Sequence, residues 1–346
     1  MPRTQRTLPL LLAALLPLGA GAAPAPAPAP AGSAAAASVR SVVTRSTLAQ
    51  FEHDVLSITA LRGTARRLAG AAVLARAVPD LPPVLTYKTF LKRALAAPGA
   101  GPAVQWVALG DCGRVGPQPE DCISDNALAR LEQQAPDNAA VWLLAFDRAR
   151  QHGDDKAARA ALARAARATE FSTYYGTLLK SVLETARALP MSPALVRQLA
   201  GSGGNAYAAT YMLAAGNVMY LPGPALAPVF EACKDPGRAA ALRARCQRIA
   251  HLLAWGDTVI ARAAGLTLQE RLAVDAEARQ RYAEARRAQA WQTQQFAILV
   301  LKARTDRALA GTLVQLVLQG GTENSIQIAL LRKTGTATTP PADWKG

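Results

Sequence analysis

Apolar residues recur along this chain at the three- and four-residue spacing of helices, and sustained alternation of β-branched residues is missing. The pattern predicts an all-α protein. Along 154–168, at about 100° per residue, Lys156, Arg159, Arg164 and Arg167 share one arc, and Ala158, Leu162 and Ala165 lie on the other. Over 236–255, Leu242, Cys246, Ile249 and Leu253 line a single face. Punctuation agrees with this reading. Ser192-Pro193 and Asp235-Pro236 place an N-cap residue before a proline suited to the first helical turn. Gly153-Asp154 and Gly256-Asp257 read as a helix stop followed by a new cap, and Thr267 with Glu270 spells a capping box. From Leu266 to Ala310 no glycine or proline intervenes, and pairs at i,i+4 (Asp275–Arg279, Glu277–Arg281) mark a polar, projecting helix.

The first half carries an internal repeat. Phe90 to Leu95, a turn, then Val104 to Leu109 is echoed by Leu128 to Leu131, the turn Pro136-Asp137-Asn138, then Val141 to Ala145. Trp106 and Trp142 are 36 residues apart, each eleven after a leucine (Leu95, Leu131), and both read as core anchors. Such a period is what stacked helix pairs produce, because a lone pair cannot bury its apolar face. Thr64 to Val78 supplies an earlier, weaker unit.

The run Pro136-Asp137-Asn138-Ala139-Ala140-Val141-Trp142, then Gly153-Asp154-Asp155 and Ala158, Leu162 and Ala165, resembles a tetratricopeptide repeat. Phe146 stands where that family has Gly, Ala149 where it has Tyr, and no Pro closes the unit near Glu170. The resemblance, spanning 60–190, implies stacked antiparallel helical hairpins, degenerate in this chain and followed by further helices, that hold a protein or peptide on a concave face. The chain as a whole resembles exported proteins of Gram-negative bacteria, which implies a location and no activity.

Its beginning agrees with export. Arg3 and Arg6, the apolar stretch Leu8 to Leu18 and the small residues Ala20-Gly21-Ala22 form a secretory leader over 1–22, too short and too interrupted by Pro9 and Pro17 to span a membrane. The expected organisation continues with an Ala/Pro-rich linker (23–37), the repeat region (38–190), a C-terminal helical region (191–333) and a disordered Thr/Pro-rich tail (334–346). In a periplasmic or secreted protein, Cys112, Cys122, Cys233 and Cys246 are expected as disulfides. Three pairings are open, and clustering favours Cys112–Cys122 and Cys233–Cys246. With no Cys-x-x-Cys and no nearby histidine, they do not form a metal site.

Composition adds little chemistry. Half of the residues are apolar, mostly alanine and leucine, and only 5% are aromatic, so helices must approach closely around few bulky anchors. Without Arg3 and Arg6 the chain keeps 37 of its 39 basic residues against 24 acidic ones. That excess suits an anionic envelope surface, met through the arc of Arg159, Arg164 and Arg167 and weakened by salt. No nucleic acid is expected as a partner.

His53, His152 and His251 each stand alone, without a metal or catalytic motif. Ser124-Asp125-Asn126 and Lys333-Thr334-Gly335 spell two β-lactamase motifs, but no serine has a lysine three residues on. No cofactor fingerprint occurs. Glu184, Glu231 and Glu270 are the carboxylates a cell-wall-cleaving enzyme would use. Tyr174, Tyr175, Tyr207 and Tyr211 suit a half-exposed binding surface. The resulting expectation is an exported, non-catalytic protein- or peptide-binding or scaffolding module. The alternative is a periplasmic cell-wall- or lipid-modifying enzyme working through a lone Glu or His.

Overall fold

Sixteen α-helices build a computed structural model that describes residues 32–110, 124–234 and 240–345. They run α1 (Gly32–Leu61), α2 (Ala65–Ala75), α3 (Tyr87–Ala96), α4 (Pro102–Ala108), α5 (Ser124–Gln134), α6 (Ala139–Gln151), α7 (Asp155–Arg167) and α8 (Tyr175–Ala186). There follow α9 (Pro193–Ala200), α10 (Ala206–Val218), α11 (Ala227–Ala232), α12 (Ala240–Ala254), α13 (Val259–Leu272), α14 (Ala276–Ala303), α15 (Arg307–Gln319) and α16 (Glu323–Lys333). No strand forms among the described residues, and the chain is all-α. None of these helices is long and apolar enough to cross a membrane. The expected leader, most of the expected linker, Asp235-Pro236 and the Cys112, Cys122 pair lie outside the described residues, whereas 32–37 begin α1.

Residues Val43–Gly346 form one compact unit. Small residues set its helix spacing. In α2, a methyl group on Gly70 would stand 2.5 Å from the Ser181 carbonyl oxygen of α8, so only glycine permits that crossing. Around it α8 packs on α2, α10 and α15, and α12 joins α7 to α13, so packing runs unbroken across position 190. Trp106 (0% exposed) and Trp142 (6%) are both core residues, yet they sit differently. The Trp106 indole N–H donates to Pro222 O at 2.9 Å and its ring meets Tyr174 edge-on, whereas that of Trp142 donates to the adjacent turn at Pro136 O, 2.7 Å away. Cys233 and Cys246 form a disulfide with Cα atoms 5.7 Å apart, Cys246 pointing into the core as its helix face requires.

Local capping chemistry places most helix starts. Asp154 and Ser192 accept the N–H groups of Ala157 (2.8 Å) and Leu195 (3.2 Å). Several expectations change. Thr267 is interior to α13, where its hydroxyl donates to Ala263 O, because Thr258 already caps that helix through Ala261 N–H. Asp275 caps α14 through Ala278 N–H (2.6 Å) in preference to pairing with Arg279, while Glu277 does bond Arg281 (2.6 Å). The tail after Thr334, expected to be disordered, lies along α14. The Trp291 and Gln292 side chains donate to Ala337 O and Thr338 O, Arg287 donates to Trp344 O, and the rings of Trp291 and Trp344 meet edge-on at 5.5 Å. One terminal tryptophan supplies the burial that a Thr/Pro-rich composition otherwise lacks.

Candidate functional site

The site begins with a polar clasp that gathers four helix starts. Asn138, fully buried before α6, donates to Ser172 O (2.7 Å) and the Tyr174 hydroxyl (3.2 Å) and accepts from Ala140 N–H and Ser172 N–H. Tyr174 adopts a left-handed backbone (φ 59°), a strained conformation that this ring packing and hydroxyl bond hold in place. Asp257 continues the clasp. Its carboxylate accepts from the backbone N–H groups of Thr173 (2.9 Å) and Tyr175 (3.3 Å) at the start of α8 and from the Ser172 and Thr173 hydroxyls. Glu323 then accepts from Val259 N–H (2.8 Å) at the start of α13, and its own N–H donates to Asp257 O (2.9 Å). Both carboxylates thus sit at positive helix ends. Burial nevertheless raises the pKa of each, against the hydrogen bonds that lower it, and in Glu323 the neighbouring Asp257 raises it further. The packing is tight: a methyl on Gly176 would fall 1.8 Å from Gly321 O.

Over this clasp lie two clefts that share His251, Trp255 and Thr322 as a common wall. One, of about 590 Å³, has Glu170, Ser172, Arg248 and Asp257 along it. The other, of about 630 Å³, is lined by Arg262, Gln269 and Leu266 of α13, Arg281 and Tyr282 of α14, and Asn324 of α16. Trp255 is 81% exposed, with the His251 ring 6.4 Å from it. A large indole held out of the core at the edge of two clefts is an unusual use of apolar surface.

A smaller groove, of about 440 Å³, runs between α5, α6 and α7, where Arg164 stacks over the Trp142 ring at 4.6 Å and Glu132 and His152 line the wall. Burial raises the Glu132 pKa, while Arg164 and Arg148 act to lower it. Arg159, Arg164 and Arg167 are all exposed on α7, as their arc requires.

The four tyrosines differ in burial. Tyr174 and Tyr175 belong to the clasp, and Tyr211 is 8% exposed. Burial, together with the nearby Glu323 carboxylate, pushes the Tyr175 and Tyr211 phenols above their ordinary pKa. Tyr207 is partly buried beneath Arg307, whose guanidinium lies 5.6 Å from its ring. Of the four, Tyr211 is a core residue, and Tyr174, Tyr175 and Tyr207 stay partly exposed against the core. Of the carboxylates singled out in the sequence, Glu231 pairs with Lys234 (3.8 Å) and Glu270 with Arg286 (2.9 Å), and Glu184 is partly buried in α8. His251 makes no hydrogen bond to an orienting carboxylate among the described residues. No group of three or more His, Cys, Asp or Glu among those residues is placed to hold a metal ion.

Sequence reasoning passed over Trp255, Arg262, Asn324 and the role of Asp257. A signal for Trp255 existed: it follows Leu253 by two positions, about 200° around the helix from the buried face, and shares its outer face with His251. Arg262 and Asn324 carry no such signal, since their surroundings come from other helices. Searches against protein-family models, curated proteins and solved structures find no match to this chain.

Proposed function

We propose that this chain is an exported, helical-repeat binding module of tetratricopeptide-like character, which takes a protein or peptide partner in the clefts at Trp255 and performs no chemistry of its own. The observation that carries the reading is the exposed Trp255 on the wall shared by two clefts. Tryptophan and arginine dominate binding energy at protein interfaces when they stand in or beside pockets, and this one is flanked by Arg248, Arg262 and Arg281. The Cys233–Cys246 bridge and the leader-like start support a periplasmic or secreted setting.

A photo-crosslinking amino acid at Tyr282 tests it. Irradiation in the native envelope should join the chain to a defined protein or peptide, and Trp255→Ala should abolish that product. Turnover of a cell-wall or lipid substrate that disappears in His251→Ala, with no crosslinked partner, would establish the enzymatic alternative instead.

A further inference from the structure

The contacts between the tail and α14 have the form of peptide recognition. Trp291 Nε1 and Gln292 Nε2 donate to Ala337 O (2.8 Å) and Thr338 O (2.9 Å). Arg287 Nη2 donates to Pro341 O (2.9 Å), Ala342 O (3.2 Å) and Trp344 O. All of these bonds end on main-chain carbonyls, and Pro340 and Pro341 have no backbone N–H that would need an acceptor in return. Trp344 is read differently, by its side chain. Its ring meets Trp291 edge-on at 5.5 Å and lies 5.5 Å from the Arg287 guanidinium, and its indole N–H donates to Gln294 Oε1 (3.1 Å). The side chains of Ala337, Thr339, Pro341, Ala342 and Asp343 stay exposed. Main-chain bonds that hold any extended segment, with one anchored side chain to discriminate, are how a protein surface takes a peptide.

We infer that the face of α14 at Arg287, Trp291 and Gln294 is a binding site for an extended, proline-containing segment of another protein that carries a tryptophan, and that the tail occupies it as a built-in competitor. The site is independent of the clefts at Trp255 and lies outside the repeat-like stretch 60–190. Its N–H donors require a run of free carbonyls. A helical ligand keeps its carbonyls in its own hydrogen bonds, whereas a proline-containing segment is extended and leaves them free. The tail itself is held superficially. Trp344 is only partly buried, and a single turn returns the chain from α16 to α14. In that turn Gly335 N–H donates to Arg332 O (3.1 Å) and Thr336 N–H to Leu331 O (2.9 Å), with Gly335 at a φ of 67°. A segment tethered so closely competes at an effective concentration of about millimolar order. It therefore excludes weak ligands and yields to one that holds the same face more strongly.

The test uses the full chain, with a fluorescein-labelled peptide of residues 335–346 as the probe and anisotropy as the readout. Trp344→Ala unseats the tail and should bind the probe saturably. The native chain should bind it about tenfold more weakly or worse, because its site is filled. A side chain at Gly335 meets nothing within 4 Å but is strained at positive φ, so Gly335→Ala loosens the turn without touching the site. It should bind with an affinity between the other two, and it keeps the comparison open if Trp344→Ala fails to fold. Adding Arg287→Gln to either opened variant should weaken the probe about tenfold or worse. A probe carrying Trp344→Ala should not bind. No saturable binding to either opened variant, or equal binding by native and opened chains, overturns the site. Binding indifferent to Arg287 or to the probe's tryptophan overturns it as well. A native dimer that the probe dissociates overturns the separate partner in favour of tails exchanged between copies of this chain.

Discussion

The Asp257 carboxylate lies 2.9 Å from the backbone nitrogen of Thr173, a residue 84 positions earlier, and that bond ties the start of α8 to the start of α13. Asp257→Ala would strand the Thr173 and Tyr175 N–H groups beneath the clefts. Leaving buried donors unpaired predicts a loss of about 2–4 kcal/mol, read as a lower urea midpoint. Asp257→Asn should lose stability too, because it turns an N–H₂ toward donors. An unchanged midpoint in both would show that the clasp contributes nothing.

Glu52, 5% exposed in α1, has its pKa raised by burial from 4.5 to about 7. The folded protein therefore holds this proton to higher pH than the unfolded chain does. Its contribution to stability is complete below about pH 4.5 and is lost as pH rises through 7, by roughly 3 kcal/mol across that window. Glu52→Gln should flatten the decline and be the more stable protein at pH 8. Asp257 and Glu323, also raised by burial, act with the same sign. A stability that climbs with pH over this range would refute the assignment.

Gly176 and Gly216 provide a matched pair. A methyl on Gly176 collides with Gly321 O, whereas one on Gly216, in the last turn of α10, meets nothing within 4 Å. Gly176→Ala should cost about 3 kcal/mol or prevent folding. Gly216→Ala should stabilise by about 0.5–1 kcal/mol, since alanine is the better helix former. Thermal melts of the two variants check the contrast, which would fail if they shifted alike.

The tail makes a separable prediction. Trp344 meets the Trp291 ring edge-on, donates to Gln294 (3.1 Å) and lies under Arg287. Its replacement by alanine should cost about 1–2 kcal/mol and open the tail to carboxypeptidase. Equal digestion of the native and Trp344→Ala proteins would show that the tail is not docked in solution.

Cys233 and Cys246 close a loop with a sequence separation of 13. Replacing both with serine should cost about 3 kcal/mol in the chain-entropy account. Intact mass before and after reduction, with alkylation under denaturing conditions, shows whether the bond forms.

Helix positions and most caps could be read from the chain because they depend on residues within one or two turns. The buried arc of α7, the inward face of Cys246 and the outward face of Trp255 follow from about 100° per residue alone. The repeat was readable as a period but not as a structure: Trp106 and Trp142 share a spacing, yet one bonds across 116 residues and the other to its own turn. Asp257 reads as a cap because Gly256-Asp257 is a good local stop signal, and it loses that role to Thr258 once loop 172–175 offers it more donors.

Local sequence was thus sufficient for an all-helical chain of alanine-lined, amphipathic segments with their starts marked. It could not specify the clasp, the docked tail or the clefts, since each joins residues tens of positions apart. Short-range periodicity governs which face of a helix is apolar. Which distant carbonyl, carboxylate or ring meets that face is settled only when the helices pack and desolvated polar groups must find partners.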